Sequence, residues 1–149
     1  MRKRLQYVGL IVLSILMGGL CLLGCAKEEK QASLEIVDSE FSIRKDTDLS
    51  YVIDASGTIA NTGDVDVKNV KVTGRCESCG DQIINATWFV SDVDKMPNQI
   101  DVINYLAAGA QEEFEFEEVA FYSAQTGSEV PEGLPDGLKV VITSHEIVE

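Results

Sequence analysis

The side chains best suited to chemistry are two cysteines three positions apart, in Cys76-Glu77-Ser78-Cys79-Gly80. Two thiols at this spacing can close a disulfide, exchange electrons, supply half of a metal site or stay free. A structural bridge suits an oxidising exterior. It would stiffen a hairpin tip, with Gly80 supplying a permissive φ. A redox-active pair needs a thiol pKa lowered at a helix N-terminus, and no βαβ pattern surrounds these residues. Tetrahedral zinc needs four ligands. The pair offers two, and His145 is the sole histidine of the chain.

Other constellations are weaker. His145 lies in a terminal apolar run and shares its alternation with Val141, Thr143 and Ile147, which reads as a structural strand position. A serine triad would need a nucleophile elbow, and no G-x-S-x-G is present. Asp46, Asp48, Asp92, Asp94 and Asp101 offer calcium oxygens but lack the ordered loop with its distal Glu. The run Glu112 to Glu118 (EEFEFEE) reads as a strand with one solvated charged face; its functional alternative is a weak cation site or a surface for a basic partner. Asn85-Ala86-Thr87 has the form of a glycosylation sequon. No phosphate-cradling glycine loop appears. The expectation is a chain that is not an enzyme, with no catalytic residues, no metal and no cofactor.

These residues sit in 149 positions, enough for one ordinary domain. There are 25 acids against 12 bases, a formal charge of −13 and a pI near 4.4. Phosphate binding needs a basic surface, so nucleic acid is excluded as a partner. Mean hydropathy is nevertheless +0.04. Such an acidic chain reaches that value only if its apolar residues are clustered, and they are, at the N-terminus.

Arg2, Lys3 and Arg4 precede an apolar run from Leu5 to Leu23, interrupted by Gln6 and Ser14. This fits a secretory signal or an uncleaved anchor. The run ends in Leu22-Leu23-Gly24-Cys25, which resembles the bacterial lipobox. That resemblance implies diacylglyceryl transfer to the Cys25 sulfur, cleavage after Gly24 and acylation of the mature protein. Residues 1–24 are then a signal peptide, and 25–33 a lipidated cysteine with a flexible, charged tether (AKEEKQAS after Cys25). Two or three acyl chains anchor a protein stably to a membrane. Ala26 favours outer-membrane sorting if the host is Gram-negative. Cleavage would remove Arg2, Lys3 and Arg4 but no acid, so 12 bases become 9 and the charge moves from −13 to −16.

From Leu34 to Glu149 the chain reads as short strands. Leu34–Arg44 changes phase near Val37-Asp38, which predicts a bulge. Leu49–Ala60 alternates cleanly, then Asn61-Thr62-Gly63-Asp64 reads as a turn with Asn61 and Gly63 tolerating positive φ. Val65–Thr73 alternates with a one-residue shift at Lys68-Asn69. Gln82–Val90 places Ile84, Ala86, Trp88 and Val90 on one face, with Trp88 expected in the core. Residues 99–108 have room for a short helix. Phe114 and Phe116 oppose Glu113, Glu115 and Glu117, and Val119 and Phe121 resume the apolar face after a one-residue shift. A Gly/Pro-rich loop spans 123–137, and Leu138–Val148 is a last strand. About seven strands predict an all-β, antiparallel, immunoglobulin-like β-sandwich over 34–149.

The stretch Gly57-Thr58-Ile59-Ala60-Asn61-Thr62-Gly63, followed by Val67-Lys68-Asn69-Val70-Lys71-Val72, resembles the FxLYD family and related CARDB-like domains. Leu106-Ala107-Ala108-Gly109-Ala110, leading into Phe114-Glu115-Phe116, extends the similarity, which covers roughly Leu34 to Val119. The namesake Phe-x-Leu-Tyr-Asp run is absent. The resemblance implies a small extracytoplasmic β-sandwich without common catalytic residues. Its expected roles are a binding or structural module meeting an envelope protein partner, with membrane lipid engaged through acylated Cys25. The alternative is an envelope thiol-redox or metal-handling protein using Cys76 and Cys79.

Overall fold

The computed structural model describes residues 31–91, 94–124 and 130–149. Within them the period-two stretches form eight strands. These are β1 (Leu34–Thr47), β2 (Ser50–Asn61), β3 (Val67–Cys76), β4 (Trp88–Phe89), β5 (Ile100–Leu106), β6 (Gln111–Phe116), β7 (Phe121–Ser123) and β8 (Leu138–Ile147). One sheet has the order β1-β2-β7-β4, with β6 and β7 following one another along the same edge of β2. The other has the order β5-β3-β8. All strand pairs are antiparallel. The all-β sandwich expected from the alternation is therefore present, with eight described strands rather than about seven.

The core lies between the sheets. Ile53 and Ile59 of β2 meet Val67, Val70 and Val72 of β3, with Leu106, Phe114, Phe116 and Val119 closing the sides. Burying each such side chain contributes about 1.5–3 kcal/mol. Phe114 and Phe116 stack with centroids 5.8 Å apart, while Glu113 and Glu115 between and beside them point to solvent, as the alternation requires.

Phase changes in the sequence became bulges. The β1–β2 register shifts between Ile36 and Asp38. The β3–β8 register shifts after Lys68, where Asn69 takes φ 52°. The shift before Val119 is larger than expected. Phe116 pairs with Ala55, but Phe121 pairs with Val52, so the intervening residues include two more than β2 requires. Glu118 absorbs the excess at φ 59°. Tyr122 rather than Phe121 consequently turns inward, and Phe121 stacks on Phe89 outside.

Three expectations are corrected. Gln82–Val90 is not one strand: only Trp88–Phe89 pairs, and Ile83 and Ile84 are 73% and 57% exposed. The Thr87 amide and hydroxyl both donate to the Ile84 carbonyl, and Ala86 sits at φ 61°, so a turn replaces extended backbone. In place of a helix over 99–108, Ile100–Leu106 form β5, because Val67, Val70 and Val72 present a strand edge to pair with, and only Gln99 belongs to a single 3-10 turn, Pro97–Gln99. Asn61 and Gly63 do not take positive φ. Gly63 is required for close approach: a Cβ there would overlap the backbone of Gln31 and Ser33. Those residues, assigned to the tether by composition, are bonded to the turn through Thr62 N–H to the Ser33 carbonyl (2.7 Å) and Asp64 N–H to the Gln31 carbonyl (3.2 Å).

The register defines two poles. The described chain comes in at Gln31, beside Asp64, and Leu34 pairs with Asn61. At the far pole Thr47 pairs with Ser50, Ser50 with Ser123 and Cys76 with Leu138. At roughly 3.3 Å per residue, the 14 residues of β1 separate the poles by about 45 Å.

Candidate functional site

The far pole gathers the sharpest features of the sequence. Cys76 ends β3, and the chain then crosses from the β3 sheet to the β4 sheet. The pair therefore lies on a crossover, not on the hairpin tip expected. The two sulfurs are at disulfide-bonding distance, with Cα atoms 5.4 Å apart. Gly80 does not take positive φ; its amide donates to the Trp88 carbonyl (3.1 Å), and its carbonyl accepts from Val90 (2.9 Å).

The crossover is also bonded to the segment preceding β8. The Glu77 amide donates to the Gly137 carbonyl (3.0 Å), and the Ser78 hydroxyl to the Asp136 carbonyl (2.5 Å). Lys139 donates to the Glu77 carboxylate, and that bond, with the lysine charge, holds the Glu77 pKa below the ordinary glutamate value. Gly137 adopts φ 71°, a conformation glycine takes at no steric cost.

Trp88 is half-buried rather than enclosed. Its indole N–H donates to the Gly133 carbonyl (3.2 Å), and its ring meets Tyr122 edge-on at 5.3 Å. Between this aromatic pair and residues 130–135 runs an open groove of about 680 Å³, walled by Val130, Glu132, Leu134 and Pro135. Sequence reasoning placed a loop here but did not foresee the groove. The Gly133-Leu134-Pro135 run carried a signal only for a turn.

The remaining candidates are scattered. His145 is exposed on β8, beyond the register shift that separates it from Val140 and Ile142, which pack on the core. Asn85 lies in the exposed turn before Thr87. Asp46 accepts from the Ser50 hydroxyl and Asp48 pairs with Lys45, so both shape the β1–β2 turn. Asp94 is exposed. Cys25, the whole of 1–24 and Asp92 lie outside the described residues.

The acidic strand borders a trough of about 510 Å³ that also receives Asp38 and Asp101. Asp101 is already engaged, accepting from the Val102 amide (2.7 Å) and the Glu115 amide (3.1 Å). Among the described residues, no group of three or more His, Cys, Asp or Glu stands together so as to hold a metal ion. Among the same residues, no helix is long and apolar enough to cross a membrane.

What the far pole can do chemically follows from its groups. Cys76 stands at a strand end rather than a helix N-terminus, so no helix dipole acts on its sulfur. The cross-linked crossover braces one wall of the groove through Asp136 and Gly137, and Trp88 braces it through Gly133. Compared with known proteins, the chain matches no family profile, no curated protein and no solved structure.

Proposed function

We propose that this chain is a bacterial lipoprotein, held by acylated Cys25 at an extracytoplasmic membrane surface, whose β-sandwich is a non-enzymatic binding or structural module of the cell envelope. One observation carries the reading: a basic start, an apolar run and Leu22-Leu23-Gly24-Cys25 occur in that order and at that spacing. The resemblance to the FxLYD and CARDB-like domains supports it, through Gly57 to Val72 and Leu106 to Phe116. The charge supports a domain that stands off the membrane. With the signal removed, nine bases face 25 acids, and anionic headgroups repel such a domain.

The test is acylation and fractionation. Cells fed an alkyne-bearing palmitate should label the full chain and retain it in the membrane fraction. Cys25→Ser should abolish both labelling and retention. Equal labelling and retention of the two forms would sink the reading.

A redox role for Cys76 and Cys79 makes a separate, measurable claim. A structural bridge has a reduction potential below about −300 mV, whereas catalytic pairs lie between about −120 and −270 mV. The braced crossover supports the lower value.

A further inference from the structure

Among the described residues, the most exposed large apolar side chains lie in two segments. The three most exposed, Ile83, Val130 and Ile84 at 73%, 61% and 57%, belong with Leu134 (44%) to the two segments that meet at the far pole, while Val37, Leu49, Met96, Val102, Tyr105 and Ile147 are exposed outside those segments. Lone exposed apolar residues are ordinary, but a cluster rimmed by polar groups marks a contact surface. Val130 and Leu134 of this set line the groove of Trp88 and Tyr122, and among the described residues that line it Glu132 alone is charged.

The groove's chemistry selects its occupant. Aromatic rings attract a cation electrostatically through their faces. Glu132 adds an opposite charge at the rim, and the domain around it has a large acidic excess. An acidic segment would be repelled, while a purely apolar one would leave Glu132 without a counter-ion. A segment in which Lys or Arg alternates with aliphatic residues satisfies both walls. Its cation lies at Trp88 and Glu132, and its aliphatic side chains cover Val130 and Leu134.

We infer that the groove between Trp88 and residues 130–135 is a docking site for a basic, aliphatic peptide segment of a protein partner. This inference rests on the binding-module reading and gives it a surface and a partner chemistry. The geometry favours that use. The groove opens at the pole about 45 Å from where the chain comes in, so an occupant would be met away from the anchored end. Its far wall is braced by the Cys76–Cys79 crossover, which keeps the groove formed in the unbound state and lowers the ordering cost of binding.

Trp88 is the sole tryptophan of the chain, so its emission reports on the groove alone. The full chain in detergent is titrated with three capped pentapeptides: alternating leucine and lysine, the same with acetyl-lysine, and alternating leucine and glutamate. The lysine peptide should give a saturable change and bind about tenfold more tightly than the other two. Glu132→Lys should invert the preference between the lysine and glutamate peptides. Val130→Ser should weaken the lysine peptide several-fold without changing that preference. Both substituted side chains are exposed, and an unchanged melting midpoint confirms that each variant folds. No saturation by the lysine peptide, equal binding of all three, or an unaltered preference in Glu132→Lys would each overturn the inference. Saturable binding of the glutamate peptide alone would overturn it while leaving the binding-module reading standing. Failure of Cys25-dependent anchoring would overturn the lipoprotein reading without touching the groove.

Discussion

Asp54 joins two elements that the sequence keeps 64 positions apart: its Oδ1 accepts the backbone amide of Glu118 at 3.1 Å. The same carboxylate takes Arg44 Nε at 2.5 Å and Nη2 at 3.2 Å. The Arg44 pKa is raised by that hydrogen bond and by the charges of Asp54 and Glu117. The left-handed bulge at Glu118, which sets the phase of Val119 and Tyr122, is thus held by a side chain on β2. Asp54→Ala should lower stability by about 2 kcal/mol, because it leaves a partly buried amide without its acceptor. Arg44→Ala should cost under about 1 kcal/mol, since Arg44 is exposed and its ion pair is screened. Denaturant titration of both variants checks the order; an Arg44 effect exceeding that of Asp54 would contradict it.

Asn61 is 1% exposed and bonded at both ends of its amide. Nδ2 donates to the carbonyls of Val65 (2.8 Å) and Leu106 (3.2 Å), and Oδ1 accepts from Gly63 (3.1 Å). Asn61→Ala should cost about 2 kcal/mol. Asn61→Asp should cost more, because it turns a carboxylate toward two carbonyl oxygens. The comparison is read from urea midpoints at pH 7, where equal losses would show that the two donated bonds contribute little.

A Cβ at Gly57 would overlap the Asp38 carbonyl and the Phe114 ring, so β1 and β6 both pass too close for any side chain. Gly57→Ala should destabilise by about 1–3 kcal/mol. Thermal melts provide the measurement, and a neutral or stabilising change would mean that β1 shifts freely at its bulge.

The Cys76–Cys79 bridge closes a very short loop, for which chain entropy gives about 2 kcal/mol of stabilisation. Cys76→Ser with Cys79→Ser, and the parent chain under strong reductant, should both lose about this amount. Trp88 emission should shift in parallel, since the crossover is bonded to the Trp88 carbonyl through Gly80. Loss of stability with unchanged emission would show that the groove forms without the bridge.

Acid and alkali should weaken the fold through different groups. The Asp66 pKa is held below 3.8 by the Tyr105 hydroxyl and the Ala108 amide, and that of Glu77 below 4.5 by Lys139. A depressed carboxylate contributes fully above its unfolded pKa, and the contribution fades as pH falls through the folded one. Tyr105 is raised above 10.0 by Asp66, so its contribution is complete below that value and fades as pH rises through the folded pKa. Melting temperatures of the parent and Tyr105→Phe should therefore converge above pH 10 and separate between pH 5 and 9. These groups are exposed, so the separation should be small and shrink in high salt. Parallel curves across the whole range would remove Asp66–Tyr105 from the account.

Much of the architecture was legible in the sequence because side-chain period follows directly from strand geometry. Alternation predicted the burial of Ile53, Ala55 and Ile59 in β2 and of Phe114 and Phe116 in β6, but not that of Val52, Ala60 and Asn61 in the opposite phase or the exposure of Leu49. Phase changes at Val37 and Asn69 marked bulges, since one extra residue necessarily inverts the pattern. Ile83 and Ile84 misled, because local alternation carries no information on whether a pairing edge is available. The groove was not legible at all. Its walls come from segments near 88, 122 and 133, and no local pattern states that they meet.

By itself the sequence determined the acidic charge, the Leu22-Leu23-Gly24-Cys25 box and the alternation that requires an all-β sandwich. These depend only on residue type and near-neighbour spacing. Tertiary structure alone decided that Cys76 and Cys79 brace a crossover instead of a hairpin tip, that Trp88 lines an open groove, and that this groove lies at the pole remote from Gln31. Those outcomes depend on which strand edges pair across the chain. Long-range pairing is chosen by the burial of Val67, Val70 and Val72 against Ile53 and Ile59, a collective packing choice that spacing along the chain does not encode.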